Sequence, residues 1–537
     1  MGAKETIAEG KAVLGIEFGS TRIKAVLIDE SHRPIAGGDY TWENRLENGI
    51  WTYHLEDVWK GLAASYAAVK RDVFDRYGVK LSKLAALGVS GMMHGYLAFD
   101  RDKNLLVPFR TWRNTMTERA SDRLTELFSY HIPQRWSVAH LYQAVLNGEE
   151  HVARIDFLTT LAGYVHWKLT GEKVLGIGDA SGMFPIDEKT RNYRADHIAS
   201  FQADPVIAGL NLDLMKILPK PLPAGQRAGY LTEDGARCLD PEGDLIPGIP
   251  LCPPEGDAGT GMVATNSVAA GSGNVSAGTS IFAMIVMDHF FSHVHRELDL
   301  LTTADGKPVA MAHCNNGTSD LNAWVQLFAD YNRLAGIEMD MDSLYGKLYE
   351  EALAGEADCG GLISYNYLSG EHVTGCSLGR PMQVRRPEDH FTLANFMRSN
   401  LYSSMATLKI GMDILLKEEG VPLERMYAHG GLFKTRGVGQ RFMAAALNTP
   451  VSLLATASEG GSWGIAVLAA YMLTEPMVRP DLATYLKKEV FCRMETKTMT
   501  PDPEDVEGFE RYMQDYREGL ALERLAGERL QSRRQDD

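Results

Sequence analysis

The chain has 537 residues, with 54 lysines and arginines against 70 aspartates and glutamates, for a formal net charge of -16. That length exceeds what one hydrophobic core serves, so two domains of about 200–250 residues are expected. A composition 45% hydrophobic and 23% charged excludes a disordered or fibrous chain, and the acidic balance argues against a nucleic-acid-binding surface, which needs clustered positive charge.

In chain order, the first ten residues are polar and charged, with no apolar core of a secretory leader. No apolar run approaches ~18 residues, so no membrane span is expected. Residues 15–29, GIEFGSTRIKAVLID, read as strand, turn and strand. Residues 55–77 place Val58, Leu62, Val69, Val73 and Phe74 at helical spacing. Residues 84–90 form a short apolar strand leading into Ser90-Gly91-Met92-Met93-His94-Gly95. Further on, an acidic turn (Glu255-Gly256-Asp257-Ala258-Gly259) precedes residues 274–288, NVSAGTSIFAMIVMD. His289, His293 and His295 follow at near-ligand spacing, but they lie among Phe290 and Phe291 and are expected in a surface turn. A helix near 395–416, a strand at 426–428 running into His429-Gly430-Gly431, and a helix at 437–446 complete the pattern. Strands alternating with long helices imply an α/β fold with mixed sheets. Residues 502–537 are charged and rich in helix formers, as expected of a surface helix or frayed tail. The six cysteines contain no C-x-x-C pair, which fits buried free thiols in a reducing cytoplasm.

Segments 15–29 and 274–288 share one plan. Gly19 and Gly278 each precede two hydroxyl residues, Ser20-Thr21 and Thr279-Ser280, and an aspartate follows ten residues later (Asp29, Asp288). A period of about 260 residues fits a duplicated domain rather than a solenoid. A Gly-Ser-Thr turn exposes backbone N–H groups and hydroxyls without bulk, which suits a phosphate. Two such turns, one per half, would clamp a polyphosphate between two domains. The G-x-x-x-x-G-K-[ST] cradle does not occur, so a P-loop enzyme is excluded. Asp257, flanked by glycine before the second turn, could take a proton from an acceptor hydroxyl, and Glu17 could meet a Mg²⁺-bound water. Gly460-Gly461-Ser462-Trp463-Gly464 fits G-x-S-x-G, but no histidine follows it, so a hydrolase triad is not expected.

These motifs together resemble the FGGY carbohydrate kinases, from Gly15 to about Ala470. The family's Gly-x-Asp-x-Gly-Thr/Ser is Gly15-Ile16-Glu17-Phe18-Gly19-Ser20 here. Ser90 to Gly95 resembles the Ser-Gly-Gln-Met-His-Gly of xylulokinases, and Gly178-Asp179-Ala180-Ser181-Gly182 their Ser-Asp-Ala-Ser-Gly. Gly256-Asp257 falls at the catalytic Gly-Asp-Asn. Gly278-Thr279-Ser280 matches the second phosphate motif, and Tyr367-Leu368-Ser369-Gly370-Glu371 matches Tyr-Leu-Ser-Gly-Glu-Arg. His429-Gly430-Gly431 with Gln440 resembles the adenosine segment, closed by Glu459-Gly460-Gly461 and Gly464.

The resemblance implies two actin-like, ribonuclease-H-like ATPase domains with a cleft between them. They would span residues 11–265 (sugar side, first turn, catalytic aspartate) and 266–478 (second turn, adenosine site), followed by a charged helical tail at 479–537. It implies ATP and Mg²⁺ as cofactors, a ketopentose or related sugar as partner, and it admits a homodimer. By the same resemblance Asp257 is the base, and Gly19, Ser20, Thr21, Lys24, Gly278, Thr279 and Ser280 hold the phosphates. Gly430, Gly431 and Gln440 would border the adenosine, Met93, His94 and Trp112 would line the sugar, and Glu17 would hold the metal. Departures are Glu17 for the family aspartate, Ala258 for the asparagine after the base, Met92 for glutamine, and Trp112-Arg113-Asn114-Thr115 for Trp-x-Asp-x-Arg. Ribulose or another polyol is an alternative acceptor. An actin- or chaperone-like ATPase and a weakly active sugar-binding regulator are alternatives of other classes.

Overall fold

Two mixed sheets organise the chain, one in each half, and the computed structural model describes residues 2–210, 212–454 and 460–530. The first sheet is built from β1 (Val13–Phe18), β2 (Arg22–Ile28), β3 (Pro34–Thr41), β4 (Ala86–Gly91) and β5 (Glu255–Gly256), in spatial order β5-β4-β1-β2-β3. β1 pairs antiparallel with β2, whereas β4 runs parallel to both β1 and β5. Helix α1 (Leu55–Tyr77) packs Val58, Leu62, Val69 and Val73 inward and ends on Gly78 in the left-handed region. Phe74, expected on the same face, is 63% exposed, because it lies one residue, or about 100°, past Val73.

Helix α2 (Asp257–Ala264) leaves β5 and enters the second half. There β6 (Ser272–Ala277), β7 (Ile281–Val286), β8 (Leu298–Thr302) and β9 (Pro308–Cys314) are followed by helix α3 (Leu393–Asp413). β10 (Arg425–His429) and β11 (Val451–Leu454) come next. β6 pairs antiparallel with β7 and parallel with β10, as β1 does with β2 and β4. The duplication read from the two turns is thus a duplication of strand topology.

After β11, helix α4 (Gly460–Leu473) crosses back and lies on the first sheet. A side chain at Gly15 on β1 would collide with the Ser462 carbonyl, and one at Gly464 with the Thr260 carbonyl of α2. These glycines let α2 and α4, the two crossings between domains, pack at backbone distance.

The last residues are built into the second domain. β12 (Thr496–Met499) pairs antiparallel with β11 and completes a seven-stranded sheet. Helix α5 (Pro503–Arg529) buries Phe509, Tyr512, Met513, Tyr516 and Leu520. Asp505, 1% exposed, binds Arg398 of α3 at 2.5 Å and also pairs with Arg441. Its high charge hid an aromatic stripe, so the picture of a frayed tail is replaced by a docked helix. Residues 531–537 of that expected tail lie outside the described residues.

Candidate functional site

The hairpin turns β1–β2 and β6–β7 are alike in what they hide. In the first, the Gly19 carbonyl accepts from Trp42 Nε1 at 2.7 Å, that of Ser20 from the Tyr53 hydroxyl at 2.7 Å, and that of Thr21 from the Trp42 amide at 3.2 Å. In the second, the Gly278 carbonyl accepts from the amide and hydroxyl of Thr318, both at 2.9 Å. The Thr279 carbonyl accepts from the Gly317 amide at 2.8 Å, and Ser280 from Gly278 at 2.9 Å. With every carbonyl of the two turns already accepting, the groups left to meet a ligand are the amides and hydroxyls of Ser20, Thr21, Thr279 and Ser280. Such turns offer cations little and welcome anions.

The Tyr367-to-Glu371 motif is the buttress of the second turn. Asn316 Oδ1 accepts from the amides of Leu368 and Ser369, and Asn366 donates to the carbonyls of Asn316 and Gly317. Glu371 accepts from the amides of Asn315 and Asn316 at 2.8 and 3.2 Å.

Between the turns lies a cavity of about 380 Å³. Glu17, Ser20, Met93, His94, Trp112, Asp257 and Ser280 line it, so seven of the expected site residues from both domains converge there. Asp257 opens α2, and its Oδ1 accepts from the amides of Met93 at 3.1 Å and Ala258 at 2.9 Å. Burial raises its proton affinity above the usual aspartate range, against those two hydrogen bonds. Glu17 faces Lys24 and Ser90 in the sheet register. Its Oε2 accepts from the Ser462 amide at 3.1 Å, at the start of α4, and a side chain at Gly461 would crowd Oε1 at 2.6 Å. Burial, with the nearby Asp257 charge, pushes Glu17 up to about 7.

His94 is 5% exposed and holds φ +69, a conformation costly for a residue with a side chain. Its Nδ1 lies 3.2 Å from the Gly182 carbonyl, and a side chain at Gly182 would press on the imidazole at 2.6 Å. Burial holds His94 well below the usual histidine range, so it is neutral. The Gly178-to-Gly182 motif is therefore the backing of the Met93-His94 wall.

Other expected residues stand apart. Gln440 is buried and donates to the Val451 and Lys497 carbonyls at 2.8 Å each, holding β11 and β12. Gly430 has φ +107, and a side chain there would strike the Ala277 carbonyl, whereas one at Gly431 would meet open space. Gly460 and Gly461 line the cavity near Glu17, Gly464 packs on α2, and Glu459 lies outside the described residues.

The sequence reading missed Arg135 and His313, which also line the cavity. Arg135 pairs with Asp299 across the domain boundary, and burial lowers it to about 10. Nothing local marks Arg135; its place depends on the fold. His313 sits on β9, where alternation alone could have turned it toward the β7 face and Phe282.

Buried titrating groups set the pH response. Burial pushes His131, His140, His166, His197 and His313 down to between about 3 and about 4. It pushes Glu17, Glu255 and Glu371 up to about 7. Between pH ~4.5 and ~6.5 the unfolded chain gains more protons at the five histidines than the native chain keeps at the three glutamates, so stability rises with pH. Above ~6.5 the histidines are mostly neutral in both states and the carboxyls raised by burial, Asp179 and Asp257 among them, dominate, so stability falls through pH ~7. The thermal midpoint of the ligand-free protein is expected to peak near pH ~6.5 in a calorimetric pH series.

Comparison with known proteins agrees with this geometry. Residues 12–243 match the N-terminal domain model of the FGGY family of carbohydrate kinases, and residues 273–473 match its C-terminal domain model. The chain is 22% identical to a xylulose kinase of Haemophilus influenzae, over 82% of this chain and 87% of that one. A xylulose kinase structure from Rhodospirillum rubrum superposes with a TM-score of 0.77 at 19% identity, covering 96% of this chain and 100% of the other. A gluconate kinase from Lactobacillus acidophilus superposes with a TM-score of 0.76 at 17% identity, covering 97% and 99%. Two duplicated sheets, two anion-welcoming turns and both family models lead to one conclusion: the chain belongs to the FGGY family of carbohydrate kinases, ATP-dependent phosphotransferases with a two-domain actin-like fold.

Proposed function

We propose that the chain transfers the γ-phosphoryl group of ATP to the terminal hydroxyl of a ketopentose of the xylulose type, with Asp257 as general base. The observation that carries this reading is the convergence of Asp257, the Met93-His94 wall and both serine turns on one cavity. Asp257 takes the hydroxyl proton as the oxygen bonds to phosphorus, and ADP leaves. Its raised proton affinity suits it to that role. The amides and hydroxyls of Ser20, Thr21, Thr279 and Ser280, in turns opened by Gly19 and Gly278, bind the phosphates and meet the charge that shifts toward ADP. Gly431 leaves space on the adenosine side.

Mg²⁺ fits the donor set. Glu17 and Asp257 face one cavity, and their mutual repulsion helps raise Glu17, a cost that a divalent cation bound with the phosphates would relieve. When bound, the ion supplies charge neutralisation and phosphate alignment.

The acceptor rests on the sugar wall and on the xylulose kinases among the relatives; ribulose or another polyol is the alternative. Ala258 removes a polar contact beside the base and Met92 is buried, so the acceptor is read by fewer side-chain amides than the resembled pattern offers. A coupled ADP assay over ketopentoses, polyols and aldonates tests this. Strong stimulation by D-xylulose supports it, and turnover confined to another class overturns the sugar assignment but not the kinase. The cysteines, all free, fit the cytoplasm, and no helix among the described residues is long and apolar enough to cross a membrane. Leu327, Tyr331 and Leu334 leave an apolar face on the helix Ser319–Leu334, which suits a homodimer.

Trp42→Phe keeps the ring that stacks on Tyr53 but frees the Gly19 carbonyl. The loosened turn is expected to raise the KM for ATP about 3–10-fold with kcat less affected, the worth of one hydrogen bond, as measured by initial rates at saturating sugar.

A further inference from the structure

The geometry points to a binding site for one zinc-class divalent metal ion formed by His293, His295 and Glu419, on the second domain and apart from the phosphate turns. The two histidines lie on the loop between β7 and β8. Glu419 caps the turn of helix at Ile414–Glu418 that continues α3. Residues far apart in sequence thus meet at one point. His293 Nδ1 is 2.9 Å and His295 Nε2 2.6 Å from the same oxygen, Glu419 Oε1, and the three ligand atoms lie within 4.8 Å of one another. His289, the remaining histidine of the segment, does not join them.

The donor set selects the class of ion. Two imidazole nitrogens and a carboxylate suit Zn²⁺, Co²⁺ or Ni²⁺, whereas Mg²⁺ and Ca²⁺ prefer oxygen ligands, so the site does not duplicate the one proposed for Mg²⁺. Tetrahedral bonds of ~2.0–2.2 Å set ligand atoms ~3.3 Å apart, so seating an ion requires the present atoms to separate slightly rather than to be rebuilt. His295 and Glu419 are 16% and 11% exposed in their side chains, while His293 is 76% exposed. The open side gives an ion its entry and a place for a water as fourth ligand.

The loop is also held on the other domain. The Phe290 amide donates to Glu188 at 3.1 Å, and Arg296 pairs with Asp122. An ion at His293, His295 and Glu419 would fix to α3 a segment whose neighbouring residues grip the first domain.

The test uses the full chain without nucleotide, since ATP chelates metals. Calorimetric titration with ZnCl₂ is expected to show one equivalent bound, and Co²⁺ is expected to give the visible absorption of a low-symmetry nitrogen-ligated ion. Loss of even an outer partner of a metal ligand weakens binding ~10–100-fold, so His293→Ala and Glu419→Gln should each weaken it at least ~10-fold. His293→Ala alters a mostly exposed side chain and keeps the fold, which near-UV circular dichroism verifies. Absence of a stoichiometric Zn²⁺ isotherm in the parent protein would overturn the proposal and leave the trio as an ion-pair cluster. Undiminished binding in both variants would overturn it as well, by placing the ion elsewhere.

Discussion

Asp257→Asn is expected to lower kcat by about 10²–10⁴-fold, the usual worth of a positioned general base, while leaving ATP affinity nearly unchanged. Asparagine preserves an oxygen for the Met93 and Ala258 amides, so the start of α2 and the sugar wall stay in place and the loss reports chemistry alone. Asp257 lies between the turns rather than on either, and for that reason nucleotide binding is spared. The acid limb of the pH–rate profile provides a second readout. Burial raises the Asp257 proton affinity, so activity falls with decreasing pH at a higher pH than an ordinary aspartate would give, and the variant loses that limb. Unchanged turnover in rapid-quench or steady-state assays would remove Asp257 from the role.

Asp505→Ala is expected to destabilise the second domain by about 3–5 kcal/mol, because it strands a buried positive charge. Asp505 and Arg398 are each 2% exposed in their side chains, and Arg441 pairs with the other carboxylate oxygen. Removing the acid leaves the Arg398 guanidinium in the core with a tyrosine hydroxyl and a carbonyl as neutral partners. A helix merely resting on the surface would lose less than ~0.5 kcal/mol. Calorimetric unfolding of the full chain separates the two outcomes.

Several parts of the site were legible in the sequence because they are local. A Gly-Ser-Thr turn between apolar strands carries its own backbone conformation, and the spacing to Asp257 follows from β5 running straight into α2. Trp42 and Tyr53, which turn the first hairpin's carbonyls away from the cavity, were not legible, since their hydrogen bonds span 23 and 33 residues. The same holds for Arg135, whose partner Asp299 is 164 residues away. Gln440 shows the reverse. Its motif suggested a ligand contact, and the structure adds a second role, since its Nε2 donates to two strand carbonyls that local sequence cannot bring together.

By itself the sequence determined the duplicated α/β plan and the two Gly-hydroxyl turns, set by hydrophobic period and turn chemistry over short spans, while the proposed base Asp257 and the proposed sugar-side His94 followed from the resemblance to the family. The tertiary structure decided the rest. It turned the charged C-terminal residues into a docked strand and helix, because an aromatic stripe found an apolar face to cover. It also gave two glycines a purpose, since Gly15 and Gly464 are needed only once α4 crosses back over the first sheet. Close packing between segments hundreds of residues apart is a property of the assembled chain, and no local pattern encodes it.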